Sequence, residues 1–112
     1  MFRPISSQSL EYVPAVVAFK KAGVWQDISG DTVQMAFIAM TPGQTPPQPQ
    51  AGDFKAAVWD VDTTTNPATY TALCLVGTGG TITLAAGQYA VWVKVTDNPE
   101  HPALYVDMLT VT

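Results

Sequence analysis

Residues 88–96 alternate without a break: Tyr89, Val91, Val93 and Val95 fall on one face of an extended chain, and Gln88, Trp92, Lys94 and Thr96 on the other. A side-chain period of two belongs to a β-strand with one buried face. A slip of one residue would turn the whole valine row to solvent, so the pattern fixes register as well as structure. Burying the four odd positions contributes roughly 1.5–3 kcal/mol each before chain entropy is set against it. Such a strand is expected at the centre of a sheet.

The same period, filled by β-branched and aromatic residues, recurs over residues 11–19, 32–40, 54–61, 70–76, 81–84 and 104–111, and no segment has a helical apolar period. Turn residues separate these runs: Lys21-Ala22-Gly23, Ile28-Ser29-Gly30-Asp31, Gly77-Thr78-Gly79-Gly80, Ala86-Gly87 and Asp97-Asn98-Pro99-Glu100. About seven short strands in 112 residues leave room for one core. They predict an all-β fold, a single immunoglobulin-like antiparallel β-sandwich over residues 11–112 behind an extended N-terminal arm over residues 1–10; a small barrel is the alternative. Tyr89 opens the penultimate strand two residues before the inward Val91, the place of a tyrosine corner, although an ordinary half-buried strand tyrosine fits as well. Val91 stands where antibody domains carry their second cysteine, consistent with a sandwich formed in a reducing compartment.

Residues 41–51 carry Pro42, Pro46, Pro47 and Pro49, which favour polyproline geometry and cannot donate to a sheet ladder. A projecting Pro-rich loop is expected, either as a stiff connector between the second and third strands or as an arm that docks on a neighbour.

Composition narrows the function. Hydrophobic residues make up 47% and charged residues 12%, which excludes disorder, and a net charge of -4 with five basic residues leaves too little counter-charge for nucleic acid. Cys74 is the only cysteine, so neither an internal disulfide nor a cysteine-based zinc site can form within one chain. No apolar run has the length of a signal peptide or approaches the roughly 18 residues of a membrane span. The expectation is a chain made in a cytoplasm, not exported, with no membrane partner.

Catalytic and metal chemistry find little purchase. His101 sits between Glu100 and Pro102 with no nucleophile or orienting acid patterned around it, and reads as an exposed turn histidine. Cys74, in the apolar run Ala72-Leu73-Cys74-Leu75-Val76, reads as a core thiol with a raised pKa. Asp60-Val61-Asp62-Thr63-Thr64-Thr65-Asn66 begins like a calcium loop, but Thr65 and Thr71 stand where the turn glycine and bidentate glutamate belong, so a side-chain-to-backbone turn is expected. Gly77-Thr78-Gly79-Gly80 lacks the lysine and helix of a phosphate loop and reads as a hairpin turn. The expectation is a non-enzyme with no cofactor or metal.

Apolar surface is in excess. In Val33-Gln34-Met35-Ala36-Phe37-Ile38-Ala39-Met40 the odd positions fill a core, yet Ile38 and Met40 are apolar on the other face; Trp92 likewise points away from the valines. With Trp25 in a loop and Trp59 at a strand end, this suggests a patch covered by a partner. Candidate interface residues are Trp25, Ile38, Trp59 and Trp92, with Pro46 and Pro47 of the loop and Phe2 of the arm. The alternative is that Trp25 and Trp59 cap the two ends of the sandwich.

The stretch FKKAGVWQDISGDTV (residues 19–33) and the stretch LAAGQYAVWVKVTD (residues 84–97), the second continuing through Asn98-Pro99-Glu100-His101-Pro102, resemble small immunoglobulin-like structural proteins of tailed actinobacterial bacteriophages. The N-terminal domains of phage baseplate upper proteins are similar. The resemblance implies a non-enzymatic virion protein assembled in the host cytoplasm, whose partners are the major capsid protein or other virion proteins, as a homo-oligomer or lattice-bound subunit. Capsid decoration is the favoured version, with the arm and the Pro-rich loop reaching adjacent subunits. A tail, head-to-tail or baseplate subunit that assembles by edge-strand contacts is the alternative. A carbohydrate- or cell-surface-binding module is the third, and against it stands the lack of a carboxylate or amide cluster around any tryptophan.

Overall fold

The computed structural model describes residues 2–96 and 101–112. Its strands are β1 (Glu11–Val17), β2 (Lys20–Lys21), β3 (Val24–Trp25), β4 (Thr32–Ala39), β5 (Lys55–Ala56), β6 (Val58–Asp62), β7 (Thr69–Val76), β8 (Gly87–Thr96) and β9 (Ala103–Val111), with one 3₁₀ turn at Ala51–Asp53. They form two antiparallel sheets, β1-β7-β6 and β5-β4-β8-β9, and a small hairpin, β2-β3. The turn expected at residues 97–100 lies outside the described residues.

The alternating segment behaves as its pattern requires. β8 lies inside the four-stranded sheet between β4 and β9, with Val33 opposite Val95, Met35 opposite Val93 and Phe37 opposite Val91. These side chains are buried against Val13, Ala15 and Val17 of β1 and Ala72, Cys74 and Val76 of β7, so the inner faces of the two sheets make one apolar core. Ile28, Leu84, Leu109 and Ile5 are buried in the same cluster. Tyr89 O–H donates to the Ala85 carbonyl four residues upstream at 2.7 Å, the bond that a tyrosine corner makes.

Two local expectations need correction. Residues 54–61 do not form one strand: Lys55–Ala56 pairs with Gln34 and Met35, the Ala57 N–H bonds to the Val33 carbonyl at 3.1 Å, and the chain then crosses to pair Val58–Asp62 with β7 in the other sheet. Residues 81–84 supply only an isolated bridge between Ile82 and Val76. The turn expected at Lys21-Ala22-Gly23 is present as the two-residue loop of the β2-β3 hairpin, with positive φ at both Ala22 and Gly23, the geometry that matches strand twist.

The arm is not free to reach neighbours. Ile5 is buried and bridges Val111 in parallel, with Ile5 N–H to Thr110 O at 3.0 Å and Thr112 N–H to Ile5 O at 2.8 Å; Phe2 is half-buried against the core. At Gly77, with φ +134°, a Cβ would lie 2.2 Å from the Ser9 carbonyl oxygen, so a residue without a side chain lets the arm pass the end of β7.

Trp92 does point away from the valine row, but it is not bare. Met40, Phe54, Ile38, Ala36 and Ala90 pack with it in a second, smaller cluster on the outer face of the four-stranded sheet, and Tyr105 meets its ring edge-on at 5.7 Å. Met40 and Phe54 stand at the two ends of the Pro-rich connection between β4 and β5, which returns to the face it left. Trp92 is 7% exposed and Ile38 is half-buried, so neither is the open anchor expected of it; Pro46 and Pro47 are half-buried too. The Trp92 indole N–H is buried without an acceptor among the described residues, so the residue contributes through apolar mass. Trp92→Ala is therefore expected to lower unfolding free energy by about 3–5 kcal/mol, and Trp92→Phe by less than half of that, since it also removes an orphaned donor. Denaturant titration checks this; a wild-type midpoint for Trp92→Ala would show that the cluster carries no stability.

Candidate functional site

The bare apolar surface lies on the opposite side of the molecule from Trp92. Residues of β1, β7 and β6 that do not enter the core form cross-strand rows on the outer face of the three-stranded sheet: Tyr12 beside Leu75, Pro14 beside Leu73 and Val58, Val16 beside Thr71 and Asp60, and Thr69 beside Asp62. One end of this face is apolar and the other is acidic. Val16 is 68% exposed, Val58 55% and Tyr12 54%, which for three neighbouring rows amounts to a patch and not a scatter of single residues.

A groove of about 530 Å³ runs from this face toward β9, walled by Tyr12, Pro14, Val16 and Phe2 on one side and Val106 and Leu109 on the other. Beyond it Leu104, Tyr105 and Val106 are exposed, so the apolar belt continues around the edge of the sandwich. The Arg3–Glu11 ion pair joins the arm to β1 at this groove; on an exposed surface it positions more than it stabilises.

Each outer strand carries a feature that discourages pairing with another strand. β1 has Pro14, which lacks an N–H; β6 has Asp60 and Asp62; β5 is two residues long and carries Lys55. β9 has a bulge, because Val91 faces Asp107 while Trp92 faces Tyr105 and Val106 is left over, and Ile5 is bridged to its far end. The geometry guards these edges against strand addition.

The remaining tryptophans divide. Trp59 points inward, donates its indole N–H to the Asp31 carbonyl at 2.8 Å and meets Tyr70 edge-on at 6.2 Å, which makes it an end cap of the core instead of an anchor. Trp25 is 48% exposed in the β2-β3 hairpin, with Lys20 Nζ 4.8 Å above its ring centre. It lines a second groove of about 420 Å³ with Gln26, Asp27, Thr69 and Tyr70. The sequence reading missed both the face and this groove. The signals were there: Tyr12-Val13-Pro14-Ala15-Val16-Val17 and Ala72-Leu73-Cys74-Leu75-Val76 are apolar at both parities, and an amide and a carboxylate directly follow Trp25.

Residues weighed for chemistry occupy quiet surroundings. His101 is exposed. Asp62 accepts from Thr64 N–H at 2.9 Å and Thr64 O–H at 2.5 Å, which closes the expected turn and holds its carboxyl below the usual range. Cys74 is buried, its thiol 3.7 Å from the Ala56 carbonyl, and desolvation pushes its pKa up to about 11. A comparison of the chain with known protein families, curated proteins and solved structures finds no match.

Two outcomes follow from this geometry. Replacing Val16 and Val58 together by lysine is expected to change unfolding free energy by no more than about 1 kcal/mol while reducing the binding of an apolar fluorescent dye; a collapse in stability would place these side chains in the core. The Cys74 thiol stays protonated at pH 8, so a thiol reagent is expected to label it only in denaturant, and rapid labelling of the folded chain would contradict its burial.

Proposed function

We propose that the chain is an immunoglobulin-like, non-enzymatic structural protein of a tailed-phage virion, a capsid decoration protein that docks on the shell through the outer face of β1-β7-β6. The bare apolar end of that face carries the proposal, because a domain of this size leaves such rows uncovered at a cost in solubility unless a partner shields them. Repetition of the shell would supply avidity from individually modest contacts.

Strand order supports the immunoglobulin-like part. With β1 taken as the second strand, β1-β7-β6 corresponds to the order B-E-D and β5-β4-β8-β9 to C′-C-F-G, with Tyr89 at the corner position of strand F and Ile5 standing for a first strand moved to the partner sheet. The virion setting rests on the resemblance of residues 19–33 and 84–102. The guarded edges weigh against the alternative of a tail ring built by strand pairing.

Particles of the encoding phage, disrupted and separated into heads and tails, test the assignment by quantitative mass spectrometry. The chain is expected with heads, at a fixed ratio to the major capsid protein, and the Val16→Lys, Val58→Lys chain is expected to fall at least tenfold in that fraction. Recovery with tails alone contradicts decoration, and absence from both fractions contradicts a virion role.

A further inference from the structure

We propose that the groove between the β2-β3 hairpin and the end of β1 is a saccharide site, in which Trp25 stacks on the apolar face of a sugar ring while Asp27 and Gln26 take its hydroxyls. The site adjoins the outer face of β1-β7-β6, sharing Val16 and Thr69 with it, but its stacking ring and fixed carboxylate lie outside that face, so it stands whether or not the face docks on a shell.

Volume and lining come first. About 420 Å³ suits a ligand of one or two rings, and the walls are apolar at Val17, Phe19 and Pro67, with polar groups converging at Gln26, Asp27 and Thr69. Asp27 is set in place before any ligand arrives. Its Oδ1 accepts from Ser29 N–H at 3.0 Å, Ser29 O–H at 2.7 Å and Tyr70 O–H at 3.2 Å. These bonds keep the carboxyl ionised and leave Oδ2 without a donor among the described residues. Tyr70 is braced in turn by the edge of Trp59, itself locked to the Asp31 carbonyl. A carboxylate positioned through such a chain accepts a hydroxyl without first losing its own freedom.

Trp25 is braced too. It pairs with Lys20 across the hairpin, the Gln26 N–H bonds to the Phe19 carbonyl at 2.9 Å at the hairpin base, and Lys20 Nζ covers one face of the indole. Trp25 remains 48% exposed and lines the groove, and its indole N–H has no acceptor among the described residues. The Gln26 side-chain N–H donates to the Val24 carbonyl at 3.0 Å, which leaves its carbonyl oxygen as a further acceptor.

The ligand class follows from these groups. A flat ring selects a flat apolar face, and fixed acceptors select donors, which together describe a pyranose with its C–H face and ring of hydroxyls. Anions meet the Asp27 carboxylate, and a cation brought to Trp25 meets an indole that already holds the Lys20 ammonium, so a neutral sugar is favoured over either.

The purified chain, displayed in many copies on a bead so that weak contacts sum, is presented to an array of immobilised neutral and N-acetylated oligosaccharides; the best-bound member is then titrated into the soluble chain by calorimetry. Binding is expected, weakened at least tenfold in Trp25→Ala and in Asp27→Asn and a few-fold in Tyr70→Phe. It should be unchanged in Val58→Lys, and thermal unfolding identifies any variant that fails to fold. No array member bound, or binding that survives both Trp25→Ala and Asp27→Asn in folded protein, overturns the proposal.

Discussion

Two stacked sheets present four faces to be kept from water or left in it, and in this chain one apolar contact settles the first two. The row Val91, Val93 and Val95 of β8, flanked by Val33, Met35 and Phe37 of β4, is pressed against Val13, Ala15, Val17, Ala72, Cys74 and Val76. Everything else is arranged around that contact. It sets the register of β8, hence which residues of β8 and β4 face outward, hence the need to cover Trp92 on the far side. The connection from β4 to β5 meets that need by bringing Met40 and Phe54 back over the indole. Among the described residues no segment does the same for the outer face of β1-β7-β6. The described residues thus cover three faces and leave the fourth, apolar at one end, open.

What could be foreseen follows from the range of the forces involved. Alternation within β8 is a property of nine consecutive residues and was readable directly; the bond of Tyr89 to a carbonyl only four residues away was one of two readings its position allowed. The sheet change at Ala57 was not readable, because an apolar run looks the same whether it serves one sheet or two. Nor was the fate of Trp92: its direction followed from parity, but its cover comes from residues beyond a Pro-rich connection whose return path the sequence does not encode locally. The docking of Ile5 on β9 joins the two ends of the chain, a separation at which pattern carries no information.

The two surfaces assigned roles differ in the same way. Apolar residues at both parities of β1 and β7 marked the bare face in advance, although attention to tryptophan drew the expectation elsewhere. Trp25, Gln26 and Asp27 are consecutive, so part of the second groove was visible as a tripeptide; Tyr70, which fixes the carboxylate, lies 43 residues further on and enters only through the fold. Of the expected anchors, Trp92 and Trp59 became structure and Trp25 alone remains substantially exposed, because a large ring near a core is more valuable for packing than for contact.

Hydroxyl-radical footprinting of the free chain and of the chain in the phage particle it is proposed to decorate reads side-chain cover residue by residue. The account predicts strong oxidation of Tyr12, Leu73 and Val58 in the free chain, a severalfold loss of it in the particle, and low oxidation of Trp92 in both. Equal oxidation of Tyr12 and Val58 in the two states, with protection appearing on another face, would contradict the claim that the uncovered side of the three-stranded sheet is where this domain meets its partner.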